Sequence, residues 1–309
     1  MPKKVVIDAR AFGHHPMELE QSGHGTLLLK IAQACQNMGH FTSIILKGQV
    51  EMYQDGIAYW PEDRHPKSGD VLVNISPVGS RDVHAPRVLG PTEIFALKPW
   101  VESYEMPKVV GRVLYSAAPN KGLWHLRHIW PKITEQVPDA TLCITHNPLK
   151  WCADMRWTHD YQGLEAIALS RWVEEDSTVQ VHRNLSRSEF LSVQGQAEVL
   201  AFPYDPILPP GPSYPTSVME AAGAGCALLV ADSGNAYQVY EKAAGFMPSP
   251  LSYDDWADVL VEWLKDRERL VQEQDKARTW ASRWSKQAFC KELEEVLDGT
   301  QKAPEPKKG

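Results

Sequence analysis

Short apolar runs alternate with stretches of helical periodicity along most of the chain, and this rhythm constrains the fold more than any other feature. Strands that are apolar on both faces are those of a covered, mostly parallel sheet, and parallel strands need helical crossovers between them. Val5–Ala9 is the first such run, and Thr26–Met38 comes next with Leu27, Leu28, Ile31, Ala32 and Cys35 on one helical face. His40–Leu46, Asp70–Ile75 and Arg87–Leu89 continue as strands. A second series begins at Arg112–Ser116 and runs through helix Leu123–Gln136, strand Ala140–Thr145, helix Gly163–Trp172 and strand Thr178–His182. It goes on with strand Glu198–Ala201, helix Thr216–Ala224, strand Ala227–Ala231 and the helices of Tyr253–Lys265 and Arg267–Leu297. The pattern predicts an α/β fold.

At 309 residues the chain is long enough for two such domains. The expected boundary lies near Pro107, in a Met-Pro-Lys segment that does not continue a helix. This gives an N-terminal domain over 1–107, a C-terminal domain over 108–298 and a disordered, Pro- and Lys-rich tail over 299–309. Ala227–Ala231, among the longest apolar runs, is far shorter than a membrane helix, and Met1 leads into a strand rather than a leader peptide, so a cytoplasmic protein without a membrane span is expected. A formal charge of −7 gives no global basic footprint for nucleic acid. Five cysteines without C-x-x-C spacing predict neither a disulfide framework nor a zinc site.

Two segments rich in small residues precede helices, where unpaired backbone N–H groups and the helix dipole favour anions. Gln21-Ser22-Gly23-His24-Gly25-Thr26 precedes the first long helix, and its glycines would let a phosphate or sugar approach the backbone, or would simply cap the helix. Pro212-Ser213-Tyr214-Pro215 leads into Thr216-Ser217-Val218-Met219-Glu220 and an Ala-rich helix closed by Gly225. Glu220, one turn inside, suits a ribose diol, although a solvent-facing glutamate near a helix N-terminus is the plainer reading. His14 and His15 lie near His24 in sequence but match no zinc spacing, and no metal site is expected.

Three groups of residues together resemble the retaining GT-B glycosyltransferases of the large group 1, family 4-like type. These are Val6-Ile7-Asp8-Ala9-Arg10 with Ser22-Gly23-His24-Gly25 and Gly39-His40; Leu114–Leu123 with its Lys121-Gly122 turn, continuing to Val137-Pro138-Asp139-Ala140; and Glu220-Ala221-Ala222-Gly223-Ala224-Gly225-Cys226. The resemblance covers most of the chain. It implies two Rossmann-like domains facing an interdomain cleft, the first on the acceptor side and the second binding the nucleotide sugar, with the last helix packing back on the first domain. It implies transfer of a hexose-like sugar from a nucleotide-diphosphate donor, UDP-sugars foremost, to an acceptor hydroxyl, with retention and without a metal or bound cofactor. The acceptor is open: a glycan, a small molecule or, as in phage-type enzymes of this architecture, a modified DNA base. A catalytically degenerate binding subunit is the other reading.

Residue by residue, Lys121 resembles the basic group at the donor diphosphate, and His24 is placed with it as a candidate catalytic residue. Gly23 and Gly25 resemble the glycine-rich segment of the first domain, Thr216, Ser217 and Val218 the segment whose amides meet phosphate or sugar, and Glu220 the glutamate at the ribose. Ser116 belongs to the donor-binding set at the position of the family's arginine, and Pro212 stands where the family has a further glutamate. Gln238 stands where many members have a glutamate, and His84 and Glu93 are candidates for orienting the acceptor.

Overall fold

The computed structural model describes residues 1–10, 23–47, 51–61, 63–64, 66–74, 83, 85–89, 100–101, 103–149, 153, 161–203, 216–231, 244–247 and 253–299. His14, His15, Ser22, His84, Glu93, Pro212, Gln238 and residues 300–309 fall outside them. The chain divides into two compact units, one of Met1–Trp100, Pro212–Thr216 and Trp284–Gly309, the other of Val101–Gly211 and Ser217–Arg283.

The first unit is built on β1 (Lys4–Asp8), α1 (Gly23–Asn37), β2 (Phe41–Leu46), β3 (Met52–Gln54), β4 (Ile57–Pro61), β5 (Val71–Asn74) and β6 (Arg87–Leu89). Its sheet runs β3-β4-β2-β1-β5-β6, parallel except for β3 against β4. The sequence reading missed the β3–β4 hairpin, whose Asp55-Gly56 turn has both φ angles positive, 52° and 80°. That dipeptide between two short strands is a strong hairpin signal. The core joins Val5, Ile7, Leu28, Ile31 and Ile44 to Phe289, Leu293, Val296 and Leu297 of the last helix. Trp100 meets Phe289 edge-on at 5.1 Å, and the Lys30 ammonium donates to the Trp100 carbonyl at 2.8 Å.

The second unit comprises β7 (Arg112–Tyr115), a 3₁₀ turn (Pro119–Lys121), α2 (Leu123–Gln136), β8 (Thr141–Ile144), α3 (Tyr161–Glu175), β9 (Val179–Val181), α4 (Arg187–Gln196) and β10 (Val199–Phe202). Then come α5 (Thr216–Gly223), β11 (Ala227–Ala231), β12 (Ala244–Met247), α6 (Tyr253–Lys265) and α7 (Arg267–Ala281). The last helix, α8 (Lys286–Asp298), lies in the first unit. The fully parallel sheet runs β12-β11-β10-β7-β8-β9, so the order reverses between β7 and β10. At such a switch the crossovers leave toward opposite faces and open a crevice at the carboxyl ends of the strands. One sheet face buries Val113, Tyr115, Leu142, Ile144, Val199 and Leu229 against Trp130, Trp256 and Leu260. No helix among the described residues is long and apolar enough to cross a membrane.

At the opposite ends of these strands, the fully buried Glu198 carboxylate accepts from the Gly111 amide at 2.8 Å. It is also gripped by both terminal nitrogens of Arg267, one at 2.9 Å. Glu198→Gln turns one acceptor into a donor facing the guanidinium, a like-to-like contact. We expect a loss of about 1.5–3 kcal/mol, the scale of hydrogen bonds to charged groups, read as a lower urea midpoint at unchanged slope.

Candidate functional site

In the second unit the candidate residues lie on the segments that follow β7, β8 and β9 and on the helix after β10. After β7, the wholly buried Tyr115 donates its hydroxyl to the Ala118 carbonyl at 2.7 Å, folding the chain into the 3₁₀ turn that ends on Lys121. Gly122 then takes φ 101° and joins the turn to α2. A Cβ on Gly122 would sit 1.9 Å from the Pro203 carbonyl oxygen, so the β7 loop lies directly against the chain leaving β10. Only glycine permits both that backbone angle and that approach. Lys121, the preceding residue, is thereby held at the β7–β10 switch, its side chain half-buried.

Ser116, Thr145 and His182 each directly follow the last residue of β7, β8 and β9. Thr145 donates its hydroxyl to that of Ser116 at 3.0 Å. Where the resemblance puts an arginine, the structure thus has a buried serine hydroxyl paired with that of the half-buried Thr145. Burial, helped by Arg112, holds the His182 pKa below its usual value and favours neutral imidazole.

The α5 helix follows β10 in the chain. Val218, Met219, Ala221 and Ala222 are at most 1% exposed, and small side chains let this helix pack closely. At its end Gly225, φ 71°, donates to the Ala222 carbonyl while Cys226 donates to Ala221, which stops the helix one residue before the expected Ala224. Its first turn is placed by a relay in which Tyr104 donates to Gln194 Oε1 at 3.1 Å and Gln194 Nε2 donates to the Ser217 carbonyl at 3.2 Å. Thr216 and Ser217 are half-buried, and the amides of Thr216–Val218 open the helix, where no intrahelical acceptor exists for them.

Glu220 is not solvent-facing: it is 6% exposed. Arg187, the first residue of α4, donates to Glu220 Oε2 at 3.1 Å and to Oε1 at 2.5 Å. Sequence reasoning missed α4 and with it Arg187 and Gln194, although Ser186 and Glu189 form a capping box that marks a helix start.

In the first unit, Gly23, His24 and Gly25 are the opening residues of α1 rather than the loop expected before it. Glycine costs most in a helix interior and little in the first turn, where the backbone groups are unpaired anyway. Their N–H groups therefore belong to a helix N-terminus. At the strand ends nearby in sequence, the buried Asp8 is chelated by Arg10 at 2.8 and 3.0 Å, with Asn74 beside it in register. Among the described residues no cluster of metal-ligating side chains occurs.

No protein-family model and no curated protein matches the chain. Solved structures do. It is similar to AviGT4, a glycosyltransferase involved in avilamycin A biosynthesis, with TM-score 0.66 and 12% identity over 96% of this chain and 99% of that one. It is similar to WaaG, a glycosyltransferase involved in lipopolysaccharide biosynthesis, with TM-score 0.63 and 12% identity over 96% and 100%. The sucrose-phosphate synthase of Thermosynechococcus elongatus gives TM-score 0.65 and 11% identity over 96% and 99%. At such identities the likeness establishes the fold: an α/β chain with parallel sheets, matching glycosyltransferases of GT-B architecture.

Proposed function

We propose, from this fold, that the chain is a glycosyltransferase moving a sugar from a nucleoside-diphosphate donor to an acceptor hydroxyl. What supports the reading is that Lys121 sits in the turn after β7, against Pro203 at the end of β10, and that Thr216–Glu220 open the helix that follows β10, the two strands between which the order reverses. A diphosphate needs a cation and oriented N–H donors, and a ribose needs a carboxylate beside them. The names of similar structures, two of them glycosyltransferases, support it.

In the reaction, negative charge builds on the departing phosphate as the bond to the sugar breaks. Lys121 and the amides of Thr216–Val218 stabilise that charge more in the transition state than in the bound donor. Their combined positive potential makes a divalent ion unnecessary at the diphosphate. Glu220 grips the nucleoside, so the donor is held at both ends and its anomeric carbon is fixed. We propose retention, with the leaving phosphate accepting the proton of the incoming hydroxyl on the same face. UDP-sugars are the first donors to test, and the acceptor is assigned to the unit that carries Gly23, His24 and Gly25.

A thermal-shift screen of nucleotide sugars tests the reading. A donor at about 100 times its dissociation constant adds roughly 2.7 kcal/mol to stability, so at least one is expected to raise the melting temperature by several degrees. No shift with any nucleotide sugar or free diphosphate contradicts it. The hydroxyl pair at Ser116 favours one alternative, a binding subunit, which gives the shift without turnover.

A further inference from the structure

Arg187 occupies a position that helix stability does not favour. It is the first residue of α4, where a cation opposes the helix dipole. The helix start is fixed without it: the Ser186 side chain accepts from the Glu189 amide, and the Glu189 carboxylate accepts from the Ser186 amide at 2.8 Å. The Arg187 side chain is held elsewhere. Its two terminal nitrogens fork onto the two oxygens of Glu220, and its guanidinium lies 5.4 Å from the Phe190 ring centre.

A guanidinium fork fixes the plane of the carboxylate it holds, because its two hydrogen bonds run parallel. We infer that Arg187 is a positioning residue of the donor site, presenting the Glu220 carboxylate to the vicinal hydroxyls of a ribose and so making the site selective for ribonucleotides. This rests on the proposed nucleotide-sugar function and deepens it: discrimination against 2′-deoxynucleotides depends on a residue that need not touch the ligand.

The test is calorimetric titration of UDP and 2′-deoxy-UDP, and likewise GDP and 2′-deoxy-GDP, into the full chain. Wild type is expected to prefer the ribose form of the nucleotide it binds by about 10–100-fold, the scale of hydrogen bonds to a charged group. In Arg187→Gln the preference should fall below about threefold, with the affinity for the deoxy form changed much less. Arg187→Lys, which keeps charge but not the fork, should be intermediate; it also serves if the glutamine variant fails to fold, as judged by circular dichroism. A folded variant of either kind with wild-type ribose preference overturns the inference while leaving nucleotide binding intact. Equal ribose and deoxy affinities in wild type overturn it too. A wild-type chain that binds no diphosphate overturns the functional reading beneath it.

Discussion

Replacing Lys121 with alanine is expected to lower kcat for donor turnover by about 10²–10³-fold, the usual cost of removing one preorganised stabiliser of developing charge. The effect should fall on kcat more than on the donor KM, because the leaving diphosphate gains charge only as the bond to the sugar breaks. Neither Ser116 nor Arg187 stands in for it: Ser116, where a second cation would stand by resemblance, is a buried hydroxyl bonded to Thr145, and Arg187 is held by Glu220. The side chain is half-buried, so a loss of stability has to be kept apart from a loss of catalysis. Steady-state kinetics of nucleoside-diphosphate release, run beside a melt, separate the two. Unchanged kcat in K121A would remove Lys121 from the chemistry.

The substitution Gly122→Ala should damage both fold and activity. An alanine at φ 101° is strained by roughly 1–3 kcal/mol. The added carbon would lie 1.9 Å from the Pro203 carbonyl oxygen and 2.7 Å from its carbon. Backbone, not a flexible side-chain end, must therefore give way, adding about 1–3 kcal/mol of overpacking. The shift falls on the residue after Lys121, and displacement of a catalytic group by about 1 Å can cost 10²-fold in rate. Urea denaturation should show the destabilisation, and assays well below the transition should show the remaining folded protein slowed. A variant as stable and as active as wild type would mean that the β7 loop does not depend on this contact.

The sheet of the second unit was legible because its strands are apolar on both faces and its helices end on recognisable residues. Ala227–Ala231 falls where the reading placed it, since Gly225 closes α5 and five apolar residues come after Cys226. Elements that missed recognition lacked such contrast. Along Arg187–Gln196 few apolar residues interrupt a polar run, and only the capping box betrays the helix. β3 has three residues at the sheet edge, none of them buried, and carries no apolar pattern; β4 is a five-residue apolar run, and with the Asp55-Gly56 turn before it the hairpin was open to recognition from that side. Gly23-His24-Gly25 was read as loop because glycine disfavours helix, a penalty that scarcely applies to a first turn.

The segments that carry the candidate residues show the same division. The turn at Lys121 and the helix start at Thr216 fall where the sequence places them, because turns and helix starts have local signatures. The partners that fix them were not legible: Pro203 behind Gly122, Gln194 behind Ser217 and Arg187 behind Glu220 join residues 23 to 81 positions apart. Long-range pairing leaves no periodic trace. Glu220 shows the consequence, since its helix position alone admits a solvated side chain and only burial against Arg187 excludes one.

Sugar transfer from a nucleoside-diphosphate donor is tested most directly by measuring free nucleoside diphosphate released when wild type and Lys121→Ala are incubated with UDP-, GDP-, ADP- and dTDP-sugars. Release from at least one donor by wild type is expected, reduced about 10²–10³-fold in the variant. No release above the variant's background from any donor, by a chain whose melting temperature nonetheless rises with nucleotide, would contradict transfer and leave a binding protein of the same fold.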